Sequence, residues 1–215
     1  MKVELLNCFG TDDMIVNAAR VSYNKDANMY TKEQNQKLIN YLVSHKHTAP
    51  FRHPQLQFRI TCPIYVERQL FKHQIGMSAN SISGRYVDFS DTYTKISEFR
   101  KQSTNSKQGS SENLDDVLNT KALQIQEEII EVCKKGYKNL INMGVSKEQA
   151  RTILPLNLNT TFIWTGSLLS FLHMWNLRLK EDTQKETRII AQQMLDLVKS
   201  IPGNPFEHTL KAFGL

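Results

Sequence analysis

The 215-residue chain carries 27 Lys and Arg against 21 Asp and Glu, a net charge of +6 spread without a basic block. That length suits one domain burying roughly 70% of its unfolded surface. No apolar run approaches the ~20 residues of a membrane span, and the dispersed charge favours nucleotides and other small anions over a nucleic-acid duplex. The opening Met-Lys-Val-Glu-Leu-Leu lacks the layout of a signal peptide and points to the cytoplasm. Cys8, Cys62 and Cys133 form no metal pattern and cannot pair completely, so they are expected as reduced thiols.

In chain order, residues 2–8 suit an edge strand, and Thr11-Asp12-Asp13 suits the cap of a short helix through Ala19. Thr31 and Gln34 form a capping box for a helix to about His45, with Leu38, Ile39 and Leu42 inward. Gln55 to Cys62 alternates polar and apolar throughout, the clearest strand in the chain. Pro63 then opens a helix that carries Arg68, Gln69 and Lys72 forward. Residues 90–113 are polar and are expected as a loop flanking the site, within a single domain spanning 1–215. Leu114 to Met143 is expected as a long helix ended by Gly144 in the left-handed conformation. Ser146 and Gln149 form a second capping box, and two last helices cover about 166–179 and 182–200, with Asp182 as a cap.

The chemistry concentrates in Lys72-His73-Gln74-Ile75-Gly76-Met77-Ser78-Ala79-Asn80-Ser81-Ile82-Ser83-Gly84-Arg85-Tyr86. Backbone N–H groups beside cationic side chains, in a stretch of small residues, suit an anionic ligand. The segment His45-Lys46-His47-Thr48-Ala49-Pro50-Phe51-Arg52-His53 has no Cys or carboxylate partner nearby, which favours ligand-facing or solvated histidines over zinc. Cys62 precedes Pro63 at a helix start, where a thiolate is stabilised. It also ends an alternating strand, and a small buried residue is the expectation there. No Gly-rich dinucleotide fingerprint or Walker loop occurs, so any nucleotide is held in another way.

Lys72-His73-Gln74 followed by Asn80-x-x-Ser83-Gly84-Arg85-Tyr86 resembles the signature of the flavin-dependent thymidylate synthases, Arg-His-Arg, seven residues, then Ser. Lys72 and Gln74 replace the arginines and one extra residue precedes Ser83, the form of a variant branch. Ala18-Ala19-Arg20-Val21-Ser22, His45-x-His47-x-x-Pro50-Phe51-x-His53, Arg151-x-x-Leu154-Pro155, Trp164-Thr165, Leu177-Arg178 and Gln184-x-Glu186-x-Arg188 resemble further segments of that family in the same order.

The resemblance implies one α+β domain, a small antiparallel sheet flanked by several helices. It implies reductive methylation of dUMP to dTMP with methylenetetrahydrofolate, NADPH and FAD, in a homotetramer with shared active sites and without nucleic acid or membrane partners. Residue by residue, it puts Arg85 and Arg151, with Ser83 and Gly84, on the nucleotide phosphate. Gln69, Lys72 and Ser81 are neighbouring nucleotide positions. Flavin positions are His47, Ala49, Lys72, His73, Gln74, Ser81 and His173, with Ser167 and Leu169 where the family often has Asn-x-Arg. Arg178 is the group that activates the pyrimidine by stabilising its ionised N3. Ser81 replaces a usual glutamate; dUMP is expected to remain the substrate and glutamate to be tolerated there. The rival readings are a flavin-dependent methylase or hydroxymethylase of dCMP, and a non-catalytic nucleotide- or nucleic-acid-binding homologue. Against the last, the aromatics are not interleaved with a basic stripe.

Overall fold

A computed structural model of the chain describes residues 1–88, 92–104 and 109–215. Its centre is a pair of antiparallel strands, β2 (Gln55–Pro63) and β6 (Asn159–Ser167), matched residue for residue from Gln55↔Ser167 to Pro63↔Asn159. Both strands bury every second side chain, Leu56, Phe58, Ile60 and Cys62 on one and Thr160, Phe162, Trp164 and Gly166 on the other. Edge strand β1 (Lys2–Phe9) pairs with β2, and β3 (Met77–Ser81) pairs with β6, giving the order β1-β2-β6-β3.

Helices cover the apolar face of this sheet. Along the chain they are α1 (Asp12–Arg20), α2 (Lys32–Ser44), α3 (Ile64–Leu70), α4 (Asp116–Asn142), α5 (Lys147–Ala150), α6 (Leu168–Arg178), α7 (Lys185–Lys199) and α8 (Glu207–Ala212). The α+β architecture is therefore as expected. α6 lies in the core: Phe171 packs edge-on against Phe58 (5.2 Å between ring centres) and Trp164 (5.4 Å). α7 adds a stripe of Ile190, Ala191, Met194, Leu195 and Val198 at helical spacing. α1, α2 and α8 cluster beside them, where the expected cap is redirected. Thr11 makes no side-chain bond to α1, and Asp12 instead accepts from the N–H groups of His208 (2.8 Å) and Thr209 (3.2 Å), capping α8.

Several expectations hold in detail. The Thr31/Gln34 capping box forms in both directions, and Gly144 follows α4 at φ +85°. Others are corrected. The last helix pair starts later than 166 and 182, because Gly166 and Ser167 finish β6, and α7 begins at Lys185 behind Gln184, with Asp182 outside it. Ile163 sits on the solvent side of β6 and hides its alternation from a reading by pattern. Ser146 makes no side-chain cap. The segment 77–81 is an edge strand, and its polarity reflects a free edge. Within the polar stretch 90–113, residues 90–91 and 105–108 lie outside the described residues. The rest includes a small hairpin, β4 (Arg100–Gln102) with β5 (Ser110–Asn113).

Gly166 is the point of closest approach in the sheet. A Cβ there would lie 3.0 Å from the Gly76 carbonyl oxygen and strike the Met77 side chain. Gly166→Ala is expected to lower stability by about 1–3 kcal/mol, read as a lower melting temperature. An unchanged melting temperature would show that β3 gives way freely.

Candidate functional site

Because β2 and β6 are antiparallel, α3 leaves the sheet at one end and α6 starts at the other. α6 then runs back to the end of α3, and residues 69–76 return along it. At the C-terminal end of α6, Arg178 donates from Nη2 to the Gln69 carbonyl (2.8 Å) and from Nε to His73 Nε2 (3.0 Å). At the N-terminal end, Ser170 Oγ donates to the Ile75 carbonyl (2.9 Å) and the Ser167 N–H to the Gly76 carbonyl (3.2 Å). The two ends are about 15 Å apart along the helix. The opening of the signature segment, residues 72–76, is thus laid along α6.

His73 accepts the Arg178 bond as a neutral ring. Burial, then the positive charges of Arg178 and His173, push its pKa down from 6.5 to about 4. Its proton therefore sits on Nδ1. Arg178 lines a cleft of about 620 Å³ between the end of α3, the end of α6 and residues 182–184. Arg68, Lys72 and Arg178 face it against a single carboxylate, Asp182, so it suits an anion. Arg68 and Gln184 were not among the expected site residues. The four-residue spacing of Arg68 and Lys72 was the available signal; the sequence places both on one helix, whereas the structure ends α3 at Leu70, just before Lys72.

Behind the cleft a polar relay fixes Gln69. Its Oε1 accepts from Thr187 Oγ1 (3.0 Å) and its Nε2 donates to Gln184 Oε1. Gln184 Nε2 donates to Glu186 (2.9 Å), and both carboxylate oxygens of Glu186 accept from Arg100 Nη2 (3.0 and 3.2 Å). Burial raises the Glu186 carboxyl, but its own backbone N–H, Gln184 and Arg100 outweigh that and hold it below its ordinary value. The relay ties the hairpin, through Arg100, to the residue whose carbonyl holds Arg178.

The remaining expected residues are dispersed. Ser81 lies on the free-edge strand and donates to Glu67 Oε1 (2.8 Å). Burial raises the Glu67 carboxyl, opposed by Ser81 and Arg68. Ser83, Gly84 and Arg85 form a turn after β3, in which Ser83 Oγ accepts the Arg85 N–H (3.3 Å). Arg85 and Arg151 are both exposed, on segments joined where Lys147 Nζ reaches the Tyr86 carbonyl (3.5 Å), and neither lines the Arg178 cleft. Lys72 and Gln74 are exposed, as are His47 and Ala49, and Pro54 beyond them accepts the N–H of Leu168 at the start of α6 (2.9 Å). Ser167 caps α6 and bonds Ser170 Oγ (2.8 Å), while the Leu169 side chain is core. Cys62 is buried, and burial, followed by the charge of Glu67, pushes its thiol up to about 12, which removes it as a nucleophile at neutral pH.

Two outcomes follow from this geometry. The unfolded chain takes up a proton at His73 before the folded chain does. The stability contributed by its neutral form is therefore complete above about 6.5 and is lost as pH falls toward about 4. His73→Gln is expected to flatten the fall of melting temperature across that window, and an identical slope in both proteins would contradict the assignment. The expectation that Ser81→Glu is tolerated meets Glu67 here, since a second carboxylate would face the first. Ser81→Glu should lower the melting temperature, with recovery in Ser81→Glu/Glu67→Gln; no loss in the single variant would show that the two side chains part freely.

Comparison with known proteins bears on the family of the chain. The family model described as Thymidylate synthase complementing protein matches residues 4–202. A flavin-dependent thymidylate synthase from Kosmotoga olearia is 39% identical over 198 residues, 92% of this chain and 85% of that protein. One from Thermus thermophilus is 38% identical over 197 residues, 92% of this chain and 71% of that protein. Among solved structures, the UMP/dUMP methylase PolB from Streptomyces cacaoi bound with 5-Br dUMP superposes with a TM-score of 0.87 at 26% identity, over 99% of this chain and 94% of that one. Agreement in sequence and fold over nearly the whole length makes this chain a member of the flavin-dependent thymidylate synthase family.

Proposed function

We propose that the chain catalyses reductive methylation of dUMP to dTMP, taking the carbon from methylenetetrahydrofolate and the reducing equivalents from NADPH through FAD. The observation that carries this reading is Arg178, held at the rim of a cationic cleft by the Gln69 carbonyl and a neutral His73. Two of its N–H groups are spent on the protein, and the others are available to a pyrimidine edge. A fixed guanidinium beside N3 stabilises the negative charge that lets C5 attack the one-carbon unit. A preformed donor of this kind is worth about 2.7–4 kcal/mol in a site closed to water. Lys72 and Arg68 add positive charge at the same mouth. With the Cys62 thiol protonated, activation of the ring falls to this arginine rather than to a thiolate.

The residues also fit a flavin, which has apolar faces and a polar rim. Ile75 stands 93% exposed in the signature segment between Gln74 and Gly76, an apolar surface beside polar groups. Ile82 donates to the Thr161 carbonyl, so by alternation the N–H groups of Ala79 and Ser81 point away from β6 and are open to an acceptor. His47, His73, Gln74 and His173 would contact the cofactor, with Ala49 beside them, and FAD held there in its reduced form would supply hydride chemistry. Ser167 acts here by holding Gly76 in place, and Leu169 by anchoring α6.

The active enzyme is a homotetramer with shared sites. Supporting this, Ser83, Arg85 and Arg151, the phosphate positions, do not line the Arg178 cleft of their own chain. No described helix is long and apolar enough to cross a membrane, which is compatible with a cytoplasmic enzyme.

The test is product analysis with dUMP, UMP and dCMP, alongside an absorption spectrum of the purified protein. Flavin bands and dTMP formation are expected. Arg178→Ala should lower turnover by about 10²–10³-fold while the flavin bands persist. Turnover near the native rate would assign ring activation to another group, and preferred turnover of dCMP would favour the rival substrate.

A further inference from the structure

The amide relay behind the Arg178 cleft has a polarity, and one residue sets it. Glu186 is 6% exposed, paired with Arg100 and ionised. An ionised carboxylate only accepts hydrogen bonds. Gln184 therefore has to turn its NH2 group to Glu186, which leaves its Oε1 for Gln69. Gln69 in turn has to give its NH2 group to Gln184, and its Oε1 falls to Thr187. The Thr187 hydroxyl can donate or accept, so it imposes no direction. Either amide turned end for end would keep nearly the same shape. The buried charge removes that freedom.

The consequence is felt at the cleft. Gln69 and Gln184 both line it beside Arg178, while Thr187 is fully buried and does not. The cleft end of Gln69 is thus Nε2, a donor. Among the described residues that nitrogen donates only to Gln184, so its second N–H is left for a ligand. Arg178 is donor-only as well. A ligand at this corner meets N–H groups and has to bring acceptors. A uracil ring ionised at N3 offers an unbroken row of them, O2, N3 and O4. Cytosine carries an amino group in place of O4 and would set N–H against N–H.

We propose that Glu186 is a positioning residue for base selection: by fixing the turn of Gln184 and Gln69 it presents a donor to O4 and favours uracil over cytosine. The proposal rests on the reading of dUMP as substrate and deepens it. Glu186 does not line the cleft, so it acts only through the amides. Its pairing with Arg100 also anchors the hairpin, and the two roles separate. Anchoring needs both partners of the ion pair, whereas polarity needs only the carboxylate.

The test measures binding of dUMP and dCMP to the flavin-loaded full chain by titration calorimetry, with melting temperature and flavin bands as checks on folding. The native protein is expected to prefer dUMP. Glu186→Gln, which keeps the shape and frees both amides to turn, should reduce that preference by about tenfold or more. Gln184→Met, at an exposed position, cuts the relay with the ion pair intact and should reduce it likewise. Adding Gln184→Glu to Glu186→Gln sets an acceptor-only group against Gln69 again and should restore the preference, because its charge weakens both nucleotides alike. Arg100→Met keeps the carboxylate and loses the anchor, so it should lower the melting temperature and leave the preference in place. A native protein that prefers dCMP, or binds neither nucleotide, would overturn the dUMP reading itself. A native preference for dUMP that survives Glu186→Gln and Gln184→Met would overturn the positioning role alone. So would an equal loss of preference in Arg100→Met, which would assign the effect to the attachment of the hairpin.

Discussion

The pairing of β2 with β6 is the constraint on which the rest of the molecule depends. Nine residues of each strand match without a bulge, and each hands its end directly to a helix. Antiparallel pairing means that the two helices start at opposite ends of the sheet. α6 has to run back over the core before it can meet the end of α3. The meeting of Arg178 with Gln69 and His73 is thus a consequence of strand direction and helix length. Sequence separation between those groups exceeds one hundred residues, so no local preference brings them together.

Close packing at the opposite end of α6 completes the arrangement. Gly166 leaves space for the Gly76–Met77 backbone, and the Ser167 N–H and Ser170 hydroxyl hold the carbonyls of Gly76 and Ile75. Residues 69–76 are fixed at both ends, and between them Gln74 and Ile75 are presented to the outside. A half-buried neutral histidine under a guanidinium is costly in isolation. It is sustained here because Arg178 has a carbonyl on its other side and an open cleft in front. The hairpin contributes from a distance, since Arg100 neutralises Glu186 and Glu186 orients Gln184 against Gln69. Such a buried pair fixes geometry more surely than it adds stability.

Patterns with a short physical range were legible in the chain. The alternation of Gln55 to Cys62, the Thr31/Gln34 box and the terminating Gly144 each follow from interactions within a few residues. Features set by distant neighbours were not. Ile163 on the outer face concealed β6, the edge position of 77–81 left β3 without apolar alternation, and Asp12 was drawn to α8 in place of α1. The pairing of β4 with β5 has no apolar alternation to announce it, because its strands are polar and an ion pair with a residue more than eighty positions away ties it to the rest of the chain.

The sequence alone determined the class of chemistry. Its ordered motifs named the family, and the cationic signature with no nucleotide-binding glycine fingerprint excluded the commoner nucleotide folds. Residue types suffice for that, because charge and hydrogen-bonding capacity travel with the side chain. Only the tertiary structure decided which of those groups act together. It joined Gln69, Lys72 and Arg178 at one cleft with His73 bonded to Arg178, left Arg85 and Arg151 away from it, and set Glu67 opposite Ser81. Distance and burial control those outcomes: a proton leaves His73, and remains on Cys62, because of what surrounds each in space, and no spacing along the chain encodes it.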